Sequence, residues 1–387
     1  MHGGPDALGV PLHDFSTNAN ACGPCPQALA ALRQADWRHY PDPAYTALRA
    51  LLAQWHGVAA ERVVIAASAS EFIHRIAAFA ARSGARQAVL PAHGYGDYRR
   101  AALAWGLEPV ATAQAGALHW ACEPASPLGV GDAGLAAWVQ AGVPPAGWCV
   151  LDCAYAPLRL DGRGEQAGGG GGSAPSPPAP LPRGERGVGR RQGLCGAGFA
   201  PSPLAGEGWG EGAHAAAGKR AELSNPQYPE GLWQLWSPNK ALGLTGVRAA
   251  YAIAPPVAVV DGSVAALQAL APSWPLGADG VALLTAWVGA DAQAWLAQSL
   301  VTLREWKTAQ IQLCADLGWA VLPGSLANFF TARLPGCDLD VVLPALRAQG
   351  IKLRDCASFG LPGHVRLGVL APDAQAALAL AWRQCAA

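Results

Sequence analysis

The sequence has no surplus of charge of either sign and no long apolar run. Lys and Arg together number 27, as do Asp and Glu, so the net charge favours neither nucleic acid nor an anionic membrane as a partner. No stretch of about 20 residues is apolar throughout, and the first residues, Met1 to Pro5, lack the basic and apolar regions of a signal peptide. We therefore expect a cytoplasmic protein that binds neither nucleic acid nor membrane.

The ten cysteines also lack the regular spacing of a disulfide framework. A cytoplasmic chain of 387 residues can bury a core without cross-links, so we expect free thiols. One pair, Cys22 and Cys25, has the spacing of a thioredoxin-type redox site, but such a site follows a buried strand and residues 16–21 are typical of a loop. A redox site is the minor alternative to a structural turn. No metal site is predicted.

What the sequence does have is an alternation of helical and strand-like stretches. Leucine and alanine recur at helical spacing in residues 26–35, 45–57, 71–82, 98–105 and 257–301, the last of these broken at Pro272 and Pro275. Short apolar runs typical of buried strands occupy residues 63–67, 88–91, 148–153, 232–236 and 247–253. The pattern predicts an α/β fold with a mixed, mostly parallel sheet between helices, followed by a smaller α+β domain.

One segment breaks this alternation. Residues 163–220 contain 17 Gly and 7 Pro among 58 residues, above the roughly 25–30% that marks low-complexity sequence. A long insertion adds only logarithmically to the entropy of loop closure, so a fold tolerates it at the surface. We expect a mobile, disordered insertion over residues 163–225.

The most informative stretch is a Gly-rich loop around Lys240, between two predicted strands. No other charged residue lies near Lys240 except Arg248, eight residues later. A lysine in apolar surroundings loses its proton more readily and becomes a nucleophile towards an aldehyde. Ser237 and Arg248 are suited to hold a phosphate together. On the residues alone, a purely structural loop is an equally good interpretation.

This loop resembles the lysine segment of the fold-type I pyridoxal 5'-phosphate enzymes of the aminotransferase class I/II family. The family has Ser three residues before the lysine and Arg eight residues after it, as here. The resemblance implies that Lys240 carries pyridoxal 5'-phosphate as an imine and that Ser237 and Arg248 bind its phosphate. It also implies an N-terminal arm and small-domain segment over residues 1–44, a large cofactor-binding domain over 45–260, and a linking helix with a small C-terminal domain over 261–387.

Two further segments are similar to cofactor-binding segments of the family. Residues 152–155 match its Asp-x-Ala-Tyr, which implies that Asp152 pairs with the pyridine nitrogen and Tyr155 with the ring oxygen. Ser68, Ala69 and Ser70 stand where the family cradles the phosphate, at a helix N-terminus suited to an anion. An Asp that ends a strand and a Ser that caps a helix are the structural alternatives.

The resemblance assigns three more residues around the cofactor. Tyr95, in a segment similar to the family's Pro-x-Pro-Thr-Tyr-x-x-Tyr, is expected to stack on the ring. Tyr40 matches a tyrosine that reaches the partner subunit's cofactor phosphate, which implies a homodimer with shared sites. Ser126 is a departure, because the family has an Asn there that supports the ring oxygen. The shorter side chain implies a water-mediated contact or reduced activity.

Two C-terminal arginines resemble those that bind substrate. Arg366 is assigned to the substrate carboxylate, and so is Arg354, because a guanidinium binds a carboxylate through two parallel hydrogen bonds. The N-terminal His-Gly-Gly and the segment with Asn18 resemble the N-terminal sequence pattern of the threonine-phosphate decarboxylases of cobalamin biosynthesis. That resemblance implies that His2 and Asn18 approach the substrate phosphate. It further implies conversion of L-threonine O-3-phosphate to (R)-1-amino-2-propanol O-2-phosphate.

Two alternatives stay open. Histidinol-phosphate aminotransferases share the Asn-x-Asn segment but usually lack the His-Gly-Gly start. The chain is also consistent with a protein that binds pyridoxal phosphate but has lost activity through the insertion and the change at Ser126.

Overall fold

The computed structural model describes residues 3–112, 115–144, 146–161 and 228–385, all within one unit of the chain. The predicted insertion and His2 lie outside the described residues. The division into segments at residues 44 and 260 stays a prediction. In the described part of the chain, no helix is long and apolar enough to cross a membrane.

Strands and helices alternate through much of residues 63–161, and further strands and helices follow from residue 232. The strands are β1 (His13–Asp14), β2 (Val63–Ala66), β3 (Gln87–Val89), β4 (Glu108–Val110), β5 (Leu118–Cys122), β6 (Trp148–Asp152), β7 (Leu232–Trp236), β8 (Ala250–Ile253), β9 (Ala320–Val321), β10 (Phe329–Arg333), β11 (Ile351–Lys352), β12 (Arg354–Asp355) and β13 (His364–Gly368). The helices are α1 (Pro26–Arg33), α2 (Thr46–His56), α3 (Ala69–Arg82), α4 (Gly96–Ala104), α5 (Ala133–Ala141), α6 (Pro256–Val260), α7 (Ser263–Gln268), α8 (Ala278–Trp287), α9 (Ala290–Asp316), α10 (Leu339–Ala348) and α11 (Pro372–Cys385). Short 3-10 turns occupy Ala60–Arg62, Ala156–Leu158 and Ala357–Phe359.

Seven strands form the central sheet, in the order β2-β8-β7-β6-β5-β3-β4. All neighbours are parallel except β8, which is antiparallel to both β2 and β7. The run Trp148–Asp152 is buried along nearly all its length, as expected of a parallel strand covered on both faces. Cys122 pairs with Asp152 and Asp152 with Leu235, so β5, β6 and β7 end level at one edge of the sheet.

A second sheet consists of C-terminal strands. It is antiparallel, with the order β12-β13-β10-β9. A separate parallel pair, β1–β11, joins the N-terminal segment to the C-terminal part of the chain. Arg354 lies directly opposite Arg366 in this sheet. Directly opposed residues of antiparallel strands present their side chains on the same face, so the two arginines are neighbours.

The predicted helix over residues 257–301 has more breaks than the two predicted at Pro272 and Pro275. The region contains α6, α7, α8 and the start of α9. Besides the breaks at the two prolines, Gly262 has a positive φ of 79°, which ends one helix and begins the next, and Gly289 precedes α9. Strands β4 and β5 were not predicted either.

The predicted turn at Cys22–Cys25 is found, and the redox alternative is not supported. The described cysteines are all free thiols. Burial raises the pKa of the Cys22 thiol to about 11, the opposite of what a reactive thiolate needs. The turn instead packs on the lysine loop, where a Cβ on Gly243, whose φ is 67°, would come within 3.0 Å of the Cα of Gly23.

Candidate active site

A cavity of about 430 Å³ lies at the edge where β5, β6 and β7 end. It brings together the residues predicted for the cofactor and most of those predicted for the substrate. The predicted residues that line it are Asn18, Ser68, Ala69, Ser70, Tyr95, Ser126, Asp152, Tyr155, Ser237, Lys240, Arg248, Arg354 and Arg366. Of the remaining predicted residues, Tyr40 does not line it and His2 lies outside the described residues.

Asp152 is a buried carboxylate at the end of β6. Its Oδ2 accepts a hydrogen bond from the Tyr98 hydroxyl at 2.7 Å, and its Oδ1 accepts one from the backbone N–H of Ala154 at 2.9 Å. Burial raises the pKa of Asp152, while the hydrogen bond from Tyr98 opposes the rise. Tyr98 is held by stacking on Trp120, with ring centroids 4.5 Å apart. A cation placed against Asp152 would stabilise its charged form.

Lys240 lies in the loop after β7 and faces Tyr155. Its Nζ is 5.2 Å from the centroid of the Tyr155 ring. The hydroxyl of Tyr155 accepts a hydrogen bond from the Asn18 side chain at 3.2 Å. The backbone carbonyl of Lys240 accepts from the N–H of Asn20 at 2.9 Å, which ties the lysine loop to the N-terminal segment. The structure thus places Lys240, Tyr155 and Asn18 in one cluster.

The residues predicted to hold the cofactor phosphate lie where an anion could bind. Ser68 caps α3, since its Oγ accepts a hydrogen bond from the N–H of Glu71 at 3.1 Å, so the structural alternative holds for this side chain. The same helix N-terminus nevertheless lines the cavity through Ala69 and Ser70. Ser237 Oγ is buried and has no hydrogen-bond partner in the described structure. A buried hydroxyl without a partner is costly, which indicates that a ligand supplies one.

The two predicted substrate arginines share one aromatic ring. The Arg354 and Arg366 guanidinium carbons lie 4.9 and 5.8 Å from the centroid of Phe359. Burial, and then the neighbouring Arg366, lower the pKa of Arg354. An anion bound between the two guanidinium groups would relieve their repulsion. Arg366 also retains a buried Nε without a partner among the described residues.

Ser126 contacts Arg366 in this structure. Its Oγ accepts a hydrogen bond from Arg366 Nη1 at 2.8 Å, while Arg366 Nη2 donates to the backbone carbonyl of Ser16 at 2.9 Å. The serine therefore orients the predicted substrate arginine. Its predicted contact with the cofactor ring stays a prediction.

Tyr40 lies outside the cavity, with 78% of its surface exposed. It stacks on Trp274 with ring centroids 4.5 Å apart, and Trp274 Nε1 donates to the Pro41 carbonyl at 3.0 Å. A role for Tyr40 at a partner subunit's site stays a prediction.

Several cavity residues were missed by the sequence reasoning. Tyr98 belongs to the quoted tyrosine segment, but only its contact with Asp152 shows a role. Gly3 belongs to the His-Gly-Gly start and Ser16 lies two residues before Asn18, but neither had an assigned role. The other lining residues without an assignment include Arg100, Cys122, Ser358 and Phe359, which nothing in the local sequence indicated.

Comparisons with known proteins identify relatives of the chain. The family model described as aminotransferase class I and II matches residues 10–122 and 210–381. Histidinol-phosphate aminotransferase of Symbiobacterium thermophilum is 25% identical over 391 residues, covering 94% of this chain and 88% of that protein. The enzyme of the same name from Ruegeria sp. is 36% identical over 98 residues, covering 25% of this chain and only 27% of that protein.

Solved structures show the same fold. Histidinol-phosphate aminotransferase from Sinorhizobium meliloti, in complex with pyridoxal-5'-phosphate, superposes with a TM-score of 0.64 at 18% identity and covers 95% of this chain and 89% of its own. L-threonine-O-3-phosphate decarboxylase from Porphyromonas gingivalis gives 0.65 at 18% identity, covering 96% and 98%. The predicted fold class, the fold-type I architecture, is confirmed.

Proposed function

The chain belongs to the aminotransferase class I and II family, and we propose that its reaction is the decarboxylation of L-threonine O-3-phosphate. The product would be (R)-1-amino-2-propanol O-2-phosphate, a component made for cobalamin. We further propose that the protein works in the cytoplasm as a homodimer, in which the exposed Tyr40 reaches the partner's site.

Pyridoxal 5'-phosphate is the cofactor, and the residues of the cavity fit it. The unpartnered Ser237 hydroxyl, Arg248 and the N-terminus of α3 would hold the phosphate. The buried Asp152 carboxylate would pair with the ring nitrogen, and Lys240 would attach the cofactor covalently. When bound, the cofactor withdraws electrons from the α-carbon of an amino substrate.

Besides attaching the cofactor, the Lys240 amine would transfer a proton to or from the substrate. Its Nζ is the amine that faces the cavity beside Tyr155, so we assign to it the proton that reaches or leaves the substrate's α-carbon. Tyr155 and Asn18 hold one wall of this site through their hydrogen bond. Asp152, kept in place by Tyr98, stays a hydrogen-bond acceptor throughout.

The observation that carries the proposal is the charge of the cavity. Five cationic side chains and two carboxyl groups line it; the cations are Arg100, Lys240, Arg248, Arg354 and Arg366. Arg100 is largely exposed and lies 3.9 Å from Asp97, which also lines the cavity. With Lys240 and Arg248 engaged by the cofactor, Arg354 and Arg366 therefore remain for the substrate. A substrate with both a carboxylate and a phosphate matches that excess, because each anion in a partly buried site needs a paired cation.

The His-Gly-Gly start, which histidinol-phosphate aminotransferases usually lack, is the part of the N-terminal segment that favours decarboxylation. Gly3 of the His-Gly-Gly sequence lines the cavity, and so do Ser16 and Asn18 of the following segment. The segment that resembles threonine-phosphate decarboxylases therefore lies at the predicted substrate end of the cavity, beside Arg366.

Amino transfer is the second candidate, and the relatives favour it. One relative that matches nearly the whole chain, from Symbiobacterium thermophilum, is named histidinol-phosphate aminotransferase. An aminotransferase given its amino donor without an acceptor stops with the cofactor in its amine form, whereas a decarboxylase returns to the aldehyde form in every turnover.

A single-addition absorbance experiment separates the candidates. The holoprotein is mixed with L-threonine O-phosphate, or with histidinol phosphate, in the absence of a keto acid. Recovery of the original spectrum supports decarboxylation, and a lasting change to the amine form after histidinol phosphate supports amino transfer. A bound cofactor whose spectrum responds to neither compound would indicate a protein without this activity.

A further inference from the structure

We propose that Asp6, Lys352 and Arg347 form a positioning cluster that sets the affinity of the cavity for its anionic substrate. The cluster acts on Arg366 through the N-terminal segment, residues 3–18. This inference rests on the proposed function, because that function assigns Arg366 to the substrate. Asp6 and its partners are positioning residues and do not line the cavity.

The cluster joins two remote parts of the chain. Arg347 Nε and Nη2 donate to the two Asp6 oxygens at 3.0 and 2.9 Å, which is a bidentate pair. Lys352 Nζ lies 2.9 Å from Asp6 Oδ2 and is largely buried. Arg347 also donates to the backbone carbonyl of Gly9 at 2.9 Å, which closes the turn at residues 6–9 onto α10.

A chain of hydrogen bonds leads from the cluster to the cavity. Lys352 Nζ donates to the Gly4 carbonyl at 2.5 Å, and the Gly4 N–H donates to Ser16 Oγ at 2.9 Å. The backbone carbonyl of Ser16 in turn accepts from Arg366 Nη2 at 2.9 Å. The position of Arg366 is therefore coupled to Asp6 through three residues that are themselves buried or partly buried.

Gly3 of the N-terminal segment packs closely against Ser16. A Cβ on Gly3 would collide with the Ser16 carbonyl oxygen, the same atom that accepts from Arg366. Gly4 has a φ of 94°, in the region that favours glycine. A small displacement of residues 3 and 4 would therefore move the acceptor that orients the arginine.

Little else anchors the start of the segment. Leu8 and Val10 are 73% and 79% exposed, so apolar packing contributes little before Pro11, which is buried. The pairing of β1 with β11 begins only at His13. The ion cluster is thus the main contact of residues 4–9 with the rest of the described chain.

The test compares Asp6→Asn with the matched variant Asp36→Asn in the full holoprotein. Asp36 forms an exposed ion pair with His39, and neither of these two residues lines the cavity. The dissociation constants of pyridoxal phosphate and of L-threonine O-phosphate, or of histidinol phosphate, are measured by cofactor absorbance. Hydrogen exchange of the Gly4 and Arg366 amides is followed in parallel.

We expect Asp6→Asn to weaken substrate binding by about threefold to about thirtyfold, with unchanged cofactor affinity and saturating rate. Exchange at Gly4 should accelerate, and Asp6→Glu should recover most of the affinity. Lys352→Met, which removes the donor to Gly4, should reproduce the defect, and Asp36→Asn should match the wild type.

Substrate affinity within twofold of wild type in both Asp6→Asn and Lys352→Met would overturn the inference, as would an equal loss of cofactor affinity. A wild-type protein that binds neither phosphorylated compound would instead refute the proposed function, and with it the role given to this cluster.

Discussion

Replacing Ser237 by alanine should weaken cofactor binding without destabilising the apoprotein. Ser237 Oγ is buried and has no partner among the described residues, so the apoprotein carries the cost of an unpaired hydroxyl. That cost is about 1–3 kcal/mol for a buried polar group. In the holoprotein the same hydroxyl would donate to a phosphate oxygen, and a hydrogen bond to a charged group contributes about 1.5–3 kcal/mol.

The dissociation constant of pyridoxal phosphate should therefore rise by about tenfold to about 150-fold in Ser237→Ala. The free energy of unfolding of the apoprotein should stay the same or increase. The first quantity is measured by titrating apoprotein with cofactor and following absorbance, the second by urea unfolding of the apoprotein.

Tyr45→Phe is the matched control. The Tyr45 hydroxyl is also buried, but it donates to the Leu276 carbonyl at 2.9 Å and accepts from the Leu276 N–H at 3.0 Å. Its loss should lower apoprotein stability by about 1–3 kcal/mol and leave cofactor affinity unchanged. Unchanged cofactor affinity in Ser237→Ala, or a loss of apoprotein stability like that of Tyr45→Phe, would refute the assignment of Ser237 to the phosphate.

Three further predictions concern the other cavity residues. Arg366→Lys loses the bonds to Ser126 and Ser16 and should raise the substrate dissociation constant by about tenfold or more with unchanged cofactor affinity, as measured by absorbance titration. Because burial raises the pKa of Asp152, the fold favours its protonated form, so apoprotein stability should decline as pH rises above about 4 through the raised pKa. Urea unfolding of apo Asp152→Asn across that range should lack this part of the decline, and an identical pH profile would contradict the assigned pKa. Lys240→Ala should lack the absorbance of the covalently bound cofactor, and its rate should fall by about 10²–10⁴-fold. Full activity in this variant would contradict every catalytic role assigned to Lys240.

Much of the fold follows from local sequence. The runs at residues 63–67, 148–153 and 232–236 become β2, β6 and β7 with ends within one residue of those predicted, because strands buried on both faces are uniformly apolar. The helical prediction over 257–301 had breaks at Pro272 and Pro275 but missed the one at Gly262, since a glycine that ends a helix through a positive φ resembles one tolerated inside it. The strand β5 was missed because its five residues, Leu118–Cys122, include a histidine and show no clear period.

The site residues were predictable where several of them lie close together in one short segment of the sequence. Lys240, Ser237 and Arg248 lie within one loop, and Asp152 and Tyr155 within one strand end, so their spacing alone indicates them. Contacts between remote residues gave no such signal. Ser126 and Arg366 are 240 residues apart, and Asp6 and Arg347 are 341 apart, so only the folded chain shows that they bind each other.

Decarboxylation is tested most directly by product analysis of the purified protein, loaded with pyridoxal phosphate and incubated with L-threonine O-phosphate with and without a keto acid. We expect carbon dioxide and aminopropanol phosphate in equal amounts, at the same rate in both cases. Turnover that requires the keto acid, with a keto product and no carbon dioxide, would contradict it and identify an aminotransferase.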